Sequence, residues 1–303
     1  MTPADRAVPP QADPFPLKNR TVVITGSTRG IGRIMAEAIV MAGANLVVTA
    51  RTEAAIEVTV AELRNLAEGP IQGQTQEPIQ EQNPAQVWGQ VCDVSQLEQV
   101  EALAQATINR FGQLDVWFNN AAVTHAFGPV LDIPYSQWRQ VIDTNIVGTY
   151  HGTIAALKQM LPRKKGVIIN FLGAGTSGDV ANGYLSAYTA SKAAIQRFTQ
   201  VAADDYKQSG IKICGLNPGL MPTDLTVKIE PVNEEAQRRL KFLRFGLRWF
   251  ATPPENIAKM ALKLATDGPQ VKNGGFYRCL PDLRLNLQRG IQGSHLPTPS
   301  QPQ

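Results

Sequence analysis

The chain has 303 residues, 43% of them apolar, enough to bury one large core and too apolar for a disordered polypeptide. Charged residues make up 18%, the net charge is +4, and no block of five like charges occurs, which argues against nucleic-acid binding. No apolar run approaches the ~18 residues of a membrane span, and no charged-then-apolar leader opens the chain. A cytoplasmic protein is therefore expected, with surface association on a membrane left open. Cys92, Cys214 and Cys279 lie far apart without a CxxC pair. Reduced, buried thiols follow from that, and no metal site.

Residues 1–19 hold five prolines and read as a flexible tail. Short apolar runs then recur at 21–25, 46–50, 87–91, 114–118, 166–172, 211–215 and 275–280. Helical stretches separate them, among them 31–41, 53–66, 96–111, 135–160 and 186–209. Continuous apolar strands alternating with helices predict an α/β fold, a doubly wound parallel sheet of Rossmann type. One domain over 20–285 accommodates the pattern. A Gln-, Pro- and Glu-rich segment at 69–86 reads as a surface insertion, and 286–303 as a polar tail.

The first strand runs into Thr25-Gly26-Ser27-Thr28-Arg29-Gly30-Ile31-Gly32. Glycines let the backbone turn tightly against a pyrophosphate, and the helix that follows offers free N–H groups. The spacing is GxxxGxG, not the commoner GxGxxG. An NAD site usually places an acidic residue after the second strand, to hold the ribose 2′-hydroxyl. Arg51 stands there instead, and Arg29 lies in the turn. Two guanidinium groups suit a 2′-phosphate, so NADP (NADPH) is the expected cofactor. The bland alternative leaves Arg29 solvated and pairs Arg51 with Glu53.

Tyr188 and Lys192 lie four residues apart, on one face of a long helix. A nearby ammonium favours the phenolate and lowers the tyrosine pKa. Tyr188 can then serve as general acid toward an alkoxide formed by hydride addition. A lone Tyr-x-x-x-Lys match is weak. Its place after the fifth strand gives it meaning.

The order Thr25-Gly26-x-x-x-Gly30-Ile31-Gly32, Cys92-Asp93-Val94, Asn119-Asn120-Ala121, Asn145, Tyr188-x-x-x-Lys192 and Asn217-Pro218-Gly219 resembles the short-chain dehydrogenase/reductase superfamily. The resemblance covers about 17–280. It implies that Asp93 and Val94 sit by the adenine and that Asn119 to Ala121 line the cofactor cleft. It implies that Asn145 holds a water in a proton relay to Lys192, which also binds the nicotinamide ribose. Pro218, Gly219 and Thr223 would flank the carboxamide and diphosphate. A homodimer or homotetramer through the long helices is implied as well.

Two departures stand out. Ala122 replaces a usual glycine, and the usual serine after the fifth strand is missing, its place falling on Leu172 or Gly173. Thr176 or Ser177 could substitute if the loop folds back. A narrower resemblance accounts for the second departure. Segments such as Asp115-Val116-Trp117-Phe118-Asn119, Gly173-Ala174-Gly175 and Pro218-Gly219-Leu220-Met221 are similar to chlorophyll(ide) b reductases, which reduce a tetrapyrrole formyl group with NADPH.

A helical lid is expected over about 223–253. Leu240, Leu243, Leu247 and Phe250 form one stripe, and Phe242, Phe245 and Trp249 a second, with Lys241, Arg244 and Arg248 between. One stripe would pack on the domain and the other would cover a large apolar substrate, together with Gly173, Ala174 and Gly175. Core with a dimer contact, or a basic-aromatic surface resting on a membrane, are the alternatives. His125 and His151 lack ligand-spaced partners and read as structural. The expected function is carbonyl reduction of a bulky hydrophobic substrate, a formyl tetrapyrrole first. The alternatives are another bulky ketone or aldehyde, or a nucleotide-binding scaffold with weakened catalysis.

Overall fold

A computed structural model of the protein describes residues 13–69, 83–176 and 183–281. Seven strands follow in chain order: β1 Thr21–Ile24, β2 Asn45–Ala50, β3 Val87–Val91, β4 Val116–Asn119, β5 Gly166–Phe171, β6 Ile211–Asn217 and β7 Phe276–Arg278. They form one parallel sheet ordered β3-β2-β1-β4-β5-β6-β7. The order reverses between β1 and β4, and a crevice opens at the carboxyl ends of those two strands.

Strand pleating sends alternate side chains to opposite faces, which builds two cores. Val22 and Ile24 join Met35 and Ile39 of α1 (Gly30–Met41), Leu63 of α2 (Glu53–Glu68) and Leu264 of α9 (Pro254–Ala265). Val23 and Trp117 join Leu103 of α3 (Leu97–Phe111), Met160 of α5 (Gly148–Met160) and Ala203 of α6 (Ser186–Asp205). The three cysteines are buried and free.

Two expectations are corrected. The stretch expected as a loose tail to residue 19 is packed from residue 13 on. Phe15 and Leu17 are buried, Leu17 N–H donates to Ala42 O, and a Cβ on Gly43 would meet the Phe15 side chain at 2.8 Å. Apolar burial overrides the proline-rich composition. The helix expected over 135–160 is interrupted: α4 (Tyr135–Val141) opens into a π turn over Ile142–Val147 before α5 begins. The insertion at 69–86 is described only at its ends, where Asn83 Nδ2 donates to Val40 O and Gln86 N–H to Asn45 Oδ1. Residues 70–82 and the polar tail at 286–303 lie outside the described residues.

Candidate active site

The glycine turn sits in the crevice. Gly26 and Gly30 have φ of 64° and 56°, in the left-handed region that favours glycine. A Cβ on Gly32 would lie 2.3 Å from Gly26 O and 2.7 Å from Asn120 Nδ2, so the turn closes only without a side chain there. No side chain caps the start of α1. Its first N–H groups therefore point out of a turn with no side-chain bulk, which fits a dinucleotide diphosphate. Ser27 is structural: its Oγ accepts from Thr49 N–H at 2.9 Å, and Gly26 N–H donates to Thr49 Oγ1.

Two residues without an assigned role fasten this turn to β4. Thr25 Oγ1 accepts from the N–H groups of Asn120 and Ala121 at 2.9 and 3.0 Å. Asn120 Nδ2 donates to Thr25 O and Gly26 O. Ala121 Cα comes within 3.1 Å of where a Gly26 Cβ would stand. Asn119, expected to line the cleft, turns its side chain into the core. Its Oδ1 accepts from Trp117 Nε1, and its Nδ2 donates to Thr149 O, Thr153 Oγ1 and Asn170 Oδ1. An amide so fully engaged has no capacity left for a ligand.

Tyr188 and Lys192 come together on α6 beneath the end of β5. Lys192 Nζ donates to Phe171 O at 2.9 Å and lies 5.6 Å from the Tyr188 ring centre. Of the two positions expected for the missing serine, Gly173 lies beside the phenol. A Cβ there would stand 2.9 Å from Tyr188 Oη and 3.3 Å from Lys192 Cγ. A side chain at Gly173 would therefore press on the phenol hydroxyl. Gly175, at φ 99°, backs onto Thr189 instead, and Thr176 Oγ1 donates to Gly173 O at 2.9 Å. Thr176 is therefore not turned toward the phenol, and Ser177 lies outside the described residues.

The π turn explains where Asn145 points. Widening the helix by one residue aims its buried side chain across the gap to α6. Oδ1 accepts from Val123 N–H, while Nδ2 donates to Val123 O and to Ser191 Oγ at 3.1 Å. Ser191 Oγ in turn donates to Tyr188 O. Asn145 meets the neighbour of Lys192 and not Lys192 itself. His125 does related work at the start of α6: its Nε2 accepts from Ala187 N–H at 3.2 Å, and Nδ1 faces Ala126 O at 2.6 Å. That pairing requires the neutral ring protonated at Nδ1, and burial lowers the pKa of His125 to match. The role is structural, as its sequence context suggested.

Burial decides the electrostatics. Tyr188 is half-buried, and burial pushes its hydroxyl up to about 12. Burial outweighs the lowering expected from Lys192, whose ammonium donates to Phe171 O. Lys192 itself is pushed down by burial to about 8 from its ordinary 10.5. A lowered lysine costs the folded state stability fully below pH 8, and the cost fades as pH rises toward 10.5. At 1.36 kcal/mol per unit this is on the order of 3 kcal/mol. Lys192→Met is therefore expected to raise the melting temperature of the ligand-free protein near pH 7. Thermal scans between pH 7 and 10.5 check this, since the advantage must shrink as pH rises.

At the adenosine end, Arg51 is exposed and has no ion-pair partner among the described residues, Glu53 included. It faces a cavity of about 400 Å³ that Asp93, Ser95, Tyr135 and Arg139 also line. The Asp93 carboxylate accepts from Ser95 N–H and Oγ at 2.9 and 2.8 Å, and Val94 is buried beside it. Arg29 is less free: its Nη1 pairs with Asp224 Oδ2 at 3.1 Å. That ion pair ties the glycine turn to α7 (Asp224–Val227). Thr223 lies just before it, with Cγ2 3.6 Å from where a Gly30 Cβ would be. Pro218 and Gly219 follow β6, and Gly219 has φ 75°.

The stretch expected as a lid holds α7 and α8 (Glu234–Phe250). The structure places the two stripes of α8 differently from the expected arrangement. Leu240 packs with Phe127, Leu185 and Ala236, and the partly buried Leu243 and Tyr188 join that cluster. Leu247 is buried too. Phe242 and Phe245 are 80% and 61% exposed on the other side. They do not come to Tyr188, because the leucine face has taken the protein side of the helix. The side chain of Trp249 lies outside the described ones.

A sheet of this order, with its glycine turn and its buried phenol–ammonium pair at the carboxyl ends of the strands, places the protein among nucleotide-dependent oxidoreductases. Sequence comparison narrows the class: the chain belongs to the short chain dehydrogenase family, whose sequence model matches residues 20–234. Members bind a nicotinamide cofactor, NAD or NADP, act on small molecules and are typically oligomeric. The chain is 33% identical over 254 residues to 3beta-hydroxysteroid dehydrogenase 1 of Eggerthella lenta, covering 83% of this chain and 88% of that one. It is 28% identical over 207 residues to a chloroplastic protein of Arabidopsis thaliana named "probable chlorophyll(ide) b reductase". That match covers 68% of this chain but only 42% of the relative. The crystal structure of levodione reductase superposes with a TM-score of 0.73 at 25% identity, over 86% of this chain and 96% of that one. No described helix is long and apolar enough to cross a membrane.

Proposed function

We propose that this protein is an NADPH-dependent reductase of a carbonyl on a bulky, apolar ring compound, with a formyl tetrapyrrole as first candidate. The observation that carries the reading is the contact between Gly173 and the Tyr188 hydroxyl. With no side chain at Gly173, nothing from that position projects beside the phenol toward an approaching carbonyl, which supports a large ring as substrate. A nicotinamide cofactor held at the glycine turn and Arg51 would supply a hydride for the carbonyl carbon. Tyr188 then gives its proton to the oxygen. A phenol with a pKa of about 12 is protonated across the neutral range, which suits donation to an alkoxide and favours reduction over oxidation. Lys192 holds the nearby positive charge that steadies the phenolate left behind. Asn145, through Ser191, and His125, through Ala187, position the start of α6 and with it the phenol.

NADPH oxidation measured against a panel of aldehydes and ketones tests the proposal. Polycyclic carbonyl compounds, formyl tetrapyrroles among them, are expected to outperform short aldehydes and sugars. The reverse ranking would refute it. A steroid-like ketone is the second reading, favoured by the Eggerthella lenta relative, which matches more of both chains.

The cofactor choice rests on Arg51, free at the end of β2 beside an open cavity. A charge-assisted bond to phosphate is worth about 1.5–3 kcal/mol. Arg51→Asp is expected to weaken NADPH binding about tenfold or more and to narrow its lead over NADH. Fluorescence titration decides this, and equal wild-type affinity for the two cofactors would overturn the assignment. Tyr150 and Val201, half exposed on α5 and α6, mark the face where a second copy is proposed to pack.

A further inference from the structure

The outer face of α8 has a composition that water alone does not explain. Its inner face is anchored by Ala236, Leu240 and Leu247, all buried. Arg239 stacks on the Tyr184 ring at 4.6 Å, and Arg244 donates to the carbonyls of Val227 and Ile229 at 2.7 and 3.1 Å. These contacts fix which way the helix faces. Phe242 and Phe245 are 80% and 61% exposed, with Lys241 and the Glu235-paired Arg238 exposed beside them. Solvent faces of helices normally carry no such aromatics. The helix holds two glutamates against five arginines and lysines, a balance of +3. Beyond its N-terminus, Asn233 Nδ2 donates to Asp132 Oδ2, and the tethered turn exposes Leu131 almost completely.

We propose that the outward face of α8 docks on an anionic lipid surface. The helix would lie in the headgroup layer, with Phe242 and Phe245 entering the acyl boundary while Arg238 and Lys241 meet lipid phosphates. Charge complementarity selects this occupant. A second copy would bring two positive helices face to face, which like-charge repulsion disfavours. Docking here would place α8, packed beside Tyr188, against the phase in which an apolar ring compound dissolves. The docking is measured without turnover, so its failure is distinguishable from failure of the proposed reaction.

The test is co-sedimentation of the full chain with phosphatidylglycerol vesicles and with phosphatidylcholine vesicles. Binding to the former alone is expected, with release at about 1 M salt, where the screening length falls to about 3 Å. Phe242→Ser with Phe245→Ser, and separately Lys241→Glu, are each expected to cut the bound fraction about tenfold. NADPH affinity and the far-ultraviolet spectrum are expected to stay as in the wild type. Lys241→Glu, a surface change, keeps the test decisive if the double variant misfolds. A wild-type protein that stays in the supernatant overturns the proposal. So do variants that bind like the wild type, and equal, salt-resistant binding to both lipids. A double variant that changes oligomeric state without lipid would assign the face to a contact between copies instead.

Discussion

Tyr188→Phe is expected to lower kcat by about 10²–10⁴-fold, the usual contribution of a positioned general acid, while leaving NADPH affinity unchanged. The substitution removes one oxygen and keeps the ring. That oxygen makes no hydrogen bond among the described residues, so its loss leaves no orphaned partner. Folding stability is therefore expected to hold, and the loss to be purely kinetic. Stopped-flow NADPH oxidation and a thermal scan of the same variant check both halves. Turnover close to wild type would mean that another group supplies the proton.

Gly173→Val should do comparable damage by a different route. Already a Cβ would press on Tyr188 Oη at 2.9 Å and on Lys192 Cγ at 3.3 Å, and valine adds two methyl groups. The phenol is held by a rigid ring on a helix fastened by His125 and Ser191. It can yield only by leaving the reacting position. Displacement of a reacting group by about 1 Å costs about 10²-fold in rate. The loss is expected in kcat for small and bulky carbonyl compounds, with KM rising further for the bulky ones that the open position admits. If Gly173→Val kept its rate with small aldehydes and lost only large ones, Gly173 would be a pocket wall and not the floor beneath the phenol.

Much of this arrangement was legible in the sequence because local rules and fold agree there. The glycine turn, the alternation of strands and helices and the Tyr188–Lys192 spacing each follow from backbone geometry acting over a few residues. What escaped depends on contacts between distant segments. The π turn at Asn145 leaves no mark in the apolar pattern, because one extra residue per turn shifts the period too little over six positions. Asn119 was drawn into the core by Thr153 and Asn170, partners from other elements. Either stripe of α8 could have packed inward. Phe127, Leu185 and Tyr188 settled it for the leucines. The rise of Tyr188 reflects burial among side chains from other elements, which the spacing of two residues on one helix cannot judge.

The central claim is that hydride delivery to a ring-borne carbonyl is completed by the Tyr188 proton. Isotope transfer tests it most directly. NADPH deuterated at the transferring position of the nicotinamide C4, incubated with the best polycyclic carbonyl compound, should place deuterium on the new carbinol carbon in the wild type. The rate of that transfer should collapse in Tyr188→Phe. An alcohol product without the label, or labelled product formed as fast by Tyr188→Phe as by the wild type, would contradict the account.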